Sequence, residues 1–202
     1  ICEEIDRALG ATYINGLFEA LEKELEFSFG DIKIRGVCDR IDAMVKDGKK
    51  YIRVVDYKRG KRAFDLKDIY NGENLQMLLY LFGLCDEGGD LPSSVMYTPV
   101  GKESFTKLSG GDLEGAKEKS RKSYIRSHSP SGLVIESSPE KEELSEAERR
   151  LTEAYGKVRD GYISVTGISD EAFSSLKKYC RSYVNAKVKE ALSGMAGACP
   201  RK

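Results

Sequence analysis

Gly36-Val37-Cys38-Asp39-Arg40-Ile41-Asp42 and Tyr51-Ile52-Arg53-Val54-Val55-Asp56-Tyr57-Lys58 are the two stretches on which the reading of this chain turns. The second is short and rich in β-branched and aromatic residues, the composition of a strand. Alternation along a strand puts Asp56 and Lys58 on one face with Val54, and Val55 and Tyr57 on the other. The segment from Ile32 to Val45 is also strand-like, and Lys46-Asp47-Gly48-Lys49-Lys50 between the two contains Asp-Gly, a strong hairpin signal. Antiparallel pairing of this kind brings Asp39 near Asp56. Asp42, three residues beyond Asp39, faces the opposite side of a regular strand and ranks below it as a ligand, an order that a bulge near Gly36 would reverse.

There is a chemical reason for such residues to meet. A phosphodiester is anionic and repels a hydroxide nucleophile, and a divalent cation neutralises it, orients it and lowers the pKa of a bound water. Mg²⁺ or Mn²⁺ takes carboxylate oxygens, which Asp39 and Asp56 supply, and keeps several waters. The ammonium of Lys58 is a compact point charge. It is suited to orienting the attacking water or stabilising charge that develops on the phosphate. Asp39, Asp56 and Lys58 are therefore the candidate catalytic residues, the first two as metal ligands. Asp-x-Lys or Gly-x-x-Asp alone is a common surface feature; the order and company of the motifs make them specific.

The third piece follows in Leu75-Gln76-Met77-Leu78-Leu79-Tyr80-Leu81-Phe82, expected as a helix over Leu75–Leu84 with Leu75, Leu78, Leu79 and Phe82 as its buried stripe. Gln76 and Tyr80 stack at i, i+4 on one face. Taken alone, Tyr80 reads as a core aromatic and Gln76 as a surface polar residue. Beside the Asp-Tyr-Lys strand the pair reads as steering DNA or supporting the metal site.

Together, Gly-x-x-Asp-Arg-Ile-Asp, Val-Val-Asp-Tyr-Lys-x-Gly and Gly-x-x-Leu-Gln-Met-Leu-x-Tyr-Leu resemble the RecB-type nucleases of the PD-(D/E)XK superfamily. More closely, they resemble the C-terminal nuclease domains of the AddB proteins of bacterial helicase–nucleases. The likeness extends to Glu26-Phe27-Ser28-Phe29-Gly30, to Leu91–Val100, to Ser131-Gly132-Leu133-Val134 and to Ser169-Asp170-Glu171-Ala172-Phe173. It implies a restriction-endonuclease-like α/β fold, a mixed β-sheet flanked by helices. It also implies Asp39 and Asp56 as ligands of Mg²⁺ or Mn²⁺, Lys58 as the catalytic lysine, and Gln76 and Tyr80 as an auxiliary motif. Arg40, Arg59, Lys61 and Arg62 join these as auxiliary DNA-binding candidates. The activity implied is exonucleolytic hydrolysis of DNA beside an AddA-like helicase–nuclease subunit, ahead of recombinational repair of double-strand breaks. A stand-alone RecB-type exonuclease and a catalytically silent scaffold or DNA-binding module are the alternatives; intact Asp39, Asp56 and Lys58 argue against silence.

Two departures from the family pattern stand out. Many RecB-type nucleases carry a metal-binding His on an upstream helix, whereas the one His here is His128. AddB proteins also hold an iron–sulphur cluster with a tight C-terminal cysteine group, whereas this chain ends Cys199-Pro200-Arg201-Lys202. The chain is accordingly expected to be one nuclease domain over residues 1–202, a fragment of a larger subunit, with the cluster confined to the full-length protein.

Composition fits this reading. At 202 residues, 40% apolar and 33% charged, the chain has length for a core and no apolar run long enough to span a membrane. Its start, Ile1-Cys2-Glu3-Glu4, is acidic and unlike a signal peptide. A cytoplasmic location is expected. The 33 basic and 33 acidic residues balance, unlike a free-standing, strongly basic DNA binder. Lys58-Arg59-Gly60-Lys61-Arg62 nevertheless sets a basic strip beside the proposed site, and other domains would supply the remaining phosphate contacts. Cys2, Cys38, Cys85, Cys180 and Cys199 are scattered, without zinc spacing, and read as free thiols.

Elsewhere the patterns predict a helix from Glu3 to Leu25 on Ile5, Leu9, Tyr13, Leu17, Leu21 and Leu25. Strands are expected at Phe27–Val37, Asp39–Val45, Tyr51–Lys58 and near Val95–Val100, the last after a turn at Asp86–Asp90. From Gly101 to Lys141 the signal fades into expected loops at Ser109-Gly110-Gly111 and Ser127–Gly132. A charged helix is expected over Leu144–Val158. A longer one opens at Ser169-Asp170-Glu171 and carries Phe173, Leu176, Tyr179, Tyr183, Val188 and Leu192.

Overall fold

The structure, a computed structural model, describes residues 17–60, 62–100 and 113–194. Asp47 and Gly48 turn the chain with φ of 53° and 71°, the left-handed pair that a two-residue hairpin needs. This turn sets the register of β2 (Ile32–Lys46) against β3 (Lys49–Arg59), antiparallel from Lys46↔Lys49 to Arg40↔Val55. On the other side of β2 lies β1 (Leu17–Phe29), also antiparallel. The chain then forms α1 (Leu66–Tyr70), α2 (Gln76–Gly88) and β4 (Leu91–Val100). Next come α3 (Leu113–His128), β5 (Ser131–Ile135), α4 (Glu140–Tyr155), β6 (Ser164–Ile168) and α5 (Asp170–Leu192). The six strands make one mixed sheet in sequence order, with β3 parallel to β4, β4 antiparallel to β5, and β5 parallel to β6.

Helices cover both faces of the sheet. On one, Leu78, Leu81 and Phe82 of α2 and Phe173 and Leu176 of α5 pack on Phe27, Ile41, Val54 and Leu133. On the other, Leu144 of α4 packs on Val55, Met96 and Val134, while Ile125, Leu151 and Tyr162 join α3 to α4. This is the mixed sheet flanked by helices that the resemblance implied. Gly83 lets α2 approach β1 closely: a Cβ there would come within 2.4 Å of the Phe27 ring.

The expected N-terminal helix is corrected where it is described. Leu17–Leu25 belongs to β1, and residues 1–16 lie outside the described part. Leu17, Leu21 and Leu25 are four apart, a spacing that satisfies helical and period-two patterns alike. Leu25, Phe27 and Phe29 are buried between exposed Glu24, Glu26 and Ser28, the alternation of a strand. Gly30, at φ 68°, turns β1 into β2, so the strand expected at Phe27–Val37 is two strands. Between Gly101 and Lys141, residues 101–112, with the Ser109–Gly111 loop, lie outside the described part; the loop expected over Ser127–Gly132 narrows to Ser129–Pro130, between the end of α3 and the start of β5. Every residue of β5 is buried, which leaves no alternation to read. Gly132 within it faces the Val95 carbonyl oxygen, where a Cβ would sit 2.0 Å away. The Ser169 cap holds: its hydroxyl accepts from the Ala172 N–H at 3.3 Å.

Candidate active site

The site forms where β2, β3 and β4 run side by side beneath the start of α2. Val54 belongs to the core under α2 and Val55 to the core under α4, so Asp56 and Lys58 fall on the α2 face and Tyr57 on the other. Asp39 reaches the same place by an irregularity. Cys38 and Ile41, three residues apart, both pack into the core under α2, so the alternation of β2 is interrupted between them. Regular β2–β3 pairing ends at Arg40↔Val55, and beyond it the Asp39 carboxylate accepts the Tyr57 N–H at 2.9 Å.

Three charges then meet. Lys58 Nζ is paired with Asp56 Oδ2, and both side chains are partly exposed. Burial raises the Asp56 carboxyl above its ordinary pKa; Lys58 pulls it back by hydrogen bond and charge, and Asp39 pushes it up by repulsion and a shared hydrogen bond. Lys58 Nζ and the Arg62 guanidinium also lie 5.5 and 5.8 Å from the centroid of the Tyr97 ring on β4. Burial pushes the Tyr97 phenol up to about 12, so it stays protonated.

Gly36, which opens the first motif, makes room for the third. A Cβ there would lie 2.0 Å from the Tyr80 hydroxyl, so the ring of Tyr80 lies directly over the strand that carries Asp39. Tyr80 is buried, and its hydroxyl accepts a 2.9 Å hydrogen bond from Gln76 Nε2. Arg62 donates to Asn74 Oδ1 at 3.1 Å, and Asn74 Nδ2 donates to Asp68 at 2.8 Å. Arg59 is exposed at the end of β3, and Lys61 lies outside the described residues.

Other residues are directed elsewhere. Arg40 bonds Asp42 at 2.7 Å and the Tyr57 side chain, on the α4 face, so it is not brought to the carboxylate pair. Asp42 is 2% exposed and ion-paired there as well. His128 is held at the end of α3 by the Tyr124 carbonyl and ring. Cys38, Cys85 and Cys180 are free, their thiols raised by burial to about 11, 12 and 11, the opposite of what a thiolate ligand requires. Sequence reasoning missed Tyr97 on β4 and the buried pairing of Asp42 with Arg53 of β3, which Glu140 of α4 holds in turn. The signal available was alternation, which puts Arg53 with Val55 and Tyr57 on the face away from Asp56.

The donor set fits a hard divalent cation. Two adjacent carboxylates, one with its charge disfavoured by burial and by the other, are relieved by a dication. No group of three or more His, Cys, Asp or Glu side chains converges among the described residues. Two protein carboxylates, with the rest of the shell from water and phosphate, is a usual Mg²⁺ arrangement.

Carboxylates and a lysine on adjacent strands of such a sheet define a class, and the whole sequence agrees with it. Residues 3–182 match the PD-(D/E)XK nuclease superfamily, and the chain belongs to that superfamily as a nuclease domain. Its curated relatives include the AddB protein of the ATP-dependent helicase/deoxyribonuclease of Clostridioides difficile strain 630, 28% identical over 93% of this chain and 17% of that protein. The AddB protein of Symbiobacterium thermophilum is 30% identical over 85% of this chain and 15% of its own length. That of Clostridium acetobutylicum is 42% identical over a shorter stretch, 33% of this chain and 6% of that protein. The chain thus spans about a sixth of the length of the first two. Among the described residues, no helix is long and apolar enough to cross a membrane.

Proposed function

We propose that this domain hydrolyses DNA phosphodiester bonds as the exonuclease of a helicase–nuclease, with Mg²⁺ or Mn²⁺ held by Asp39 and Asp56. The observation that carries the reading is the convergence of Asp39, Asp56 and Lys58 on one face of β2 and β3. A divalent cation, when bound, supplies neutralisation of the phosphate and a lowered pKa for water. The residues do the rest. Asp39 and Asp56 would hold the ion, and Lys58, paired with Asp56 in this structure, would present its ammonium to the attacking water or to charge growing on the phosphate. Gln76 and Tyr80 flank the scissile region from α2, and Arg59, Lys61 and Arg62 take neighbouring phosphates. The names of the relatives support DNA as substrate and a helicase partner, here taken to be of the AddA kind and to work in the cytoplasm in double-strand break repair.

The test is degradation of end-labelled linear DNA in Mg²⁺ or Mn²⁺, with Lys58→Ala and Asp56→Asn alongside. Lys58→Ala is expected to lower the cleavage rate by about 10²-fold or more while metal binding is largely kept. Asp56→Asn is expected to lose both. Undiminished cleavage by Lys58→Ala would remove the assigned mechanism.

A further inference from the structure

The α4 face of the sheet carries a second set of charges, with Asp42 and Arg53 three residues along β2 and β3 from Asp39 and Asp56. Asp42 accepts from Arg40 Nε at 2.7 Å through Oδ1, and through Oδ2 from Arg53 Nε at 3.0 Å and Nη2 at 2.8 Å. Arg53 Nη1 donates to Glu140 Oε1 of α4 at 3.0 Å. The other Glu140 oxygen accepts from Ser93 and Ser94 of β4, at 2.5 and 2.7 Å. Asp42, Arg53 and Glu140 are 2%, 6% and 2% exposed. Two cations balance two anions, and each carboxylate oxygen named has a donor.

Such an array is a poor way to gain stability, because apolar side chains of the same volume hold a fold together as well or better. Its geometry has another consequence. Arg40, gripped by Asp42, also bonds the side chain of Tyr57, and the Tyr57 N–H is the group that binds the Asp39 carboxylate. The interruption in the alternation of β2 lies between Cys38 and Ile41, where Arg40 is drawn to one face and Asp39 turned to the other.

We infer that Asp42 and Arg53 are positioning residues for the opposite face: by fixing Arg40 and Tyr57 they present the Asp39 carboxylate to Asp56. Neither touches substrate or metal. The inference rests on the proposed metal-binding role of Asp39 and Asp56, and the test separates the two.

Mn²⁺ binding to the complete chain is measured by calorimetry, with no DNA present. Wild type is compared with Asp42→Asn, Arg40→Gln, Asp56→Asn and Leu144→Ala, the last a core truncation on the same face of the sheet. Asp42→Asn and Arg40→Gln are each expected to weaken Mn²⁺ affinity about 10- to 100-fold, as loss of a supporting hydrogen bond behind a metal ligand does. Leu144→Ala is expected to lower Tm and leave the affinity unchanged. Arg40 is partly exposed, so its variant reports even where Asp42→Asn fails to fold. Unchanged affinity in the folded variants overturns the inference alone, as does equal weakening in Leu144→Ala, which would mean general loosening. Absence of Mn²⁺ binding in wild type, or its persistence in Asp56→Asn, overturns the metal assignment and this inference with it.

Discussion

Asp56 sits where burial disfavours its charge, Lys58 favours it and Asp39 disfavours it, and the net direction is a raised pKa. A carboxyl that holds its proton more tightly folded than unfolded opposes folding at pH above its folded pKa. That opposition fades as pH falls toward the unfolded value, about 3.9. In metal-free protein, Asp56→Asn is therefore expected to raise Tm at pH 7, with the gain shrinking as pH approaches 4. A lower Tm at pH 7 would mean that attraction to Lys58 outweighs burial. Mn²⁺ is expected to raise the Tm of wild type by mass action and to leave Asp56→Asn unmoved; about 2.7 kcal/mol accrues at a hundredfold excess over Kd. Scanning calorimetry in EDTA and in Mn²⁺ reads both. Both outcomes together would tie the proposed cation binding to the electrostatic penalty of the site.

At the scale of elements, the contact of β2 with α2 decides how the auxiliary motif sits. Gly36→Ala would set a Cβ 2.0 Å from the Tyr80 hydroxyl and 2.8 Å from its Cζ, so Tyr80 and the start of α2 must shift. A loss of about 1–3 kcal/mol is expected from overpacking of this kind. Tyr80→Phe removes the nearest atom, so the double variant should recover part of that loss; denaturant melts of the four proteins read the coupling, and strict additivity would contradict the contact. Other parts of the arrangement are open to sequence reading to different degrees. The face shared by Asp56 and Lys58 follows from alternation alone, and the β2–β3 turn from Asp47-Gly48, so this half of the site is legible. The turning of Asp39 is not, because it depends on an interruption of the strand held from behind by Arg40 and Asp42. Those in turn depend on Arg53 and Glu140, a contact between residues 87 apart that no local pattern reports. β1 departs from its sequence pattern for a different reason: leucines four apart serve a helix and a strand equally, and the hairpin pairing that decides between them is tertiary.

For the whole molecule, two scales of organisation converge on the segment between β3 and α2. α5 lies across it: the Tyr179 hydroxyl donates to the Tyr70 carbonyl at 2.7 Å and that of Tyr183 to the Asn71 carbonyl at 3.2 Å. Gly72, at φ 81°, passes beneath Tyr183, where a Cβ would be 1.9 Å from the hydroxyl. α5 thus ties down the loop that carries Asn74, and Asn74 holds Arg62 over Tyr97 beside the carboxylates. Against this local basic feature stands a chain whose 33 basic and 33 acidic residues cancel. Arg59, Lys61 and Arg62 are the cations proposed to meet neighbouring phosphates, with Lys58 paired to Asp56, and three phosphate contacts on duplex DNA correspond to a slope of log Kobs against log salt of roughly −2.7. Binding measured in EDTA by fluorescence anisotropy is expected to follow about that slope, and Arg59→Ala to reduce its magnitude by about 1. A slope far steeper would mean that basic surfaces away from the site, such as the exposed Lys117, Lys119 and Arg121 of α3, carry the backbone contacts instead. A slope unchanged by Arg59→Ala would detach the strip from DNA binding. The expected outcome instead confines the isolated chain to weak, site-centred contact and leaves the bulk of DNA affinity to surfaces outside this chain, in keeping with the proposed place in a helicase–nuclease.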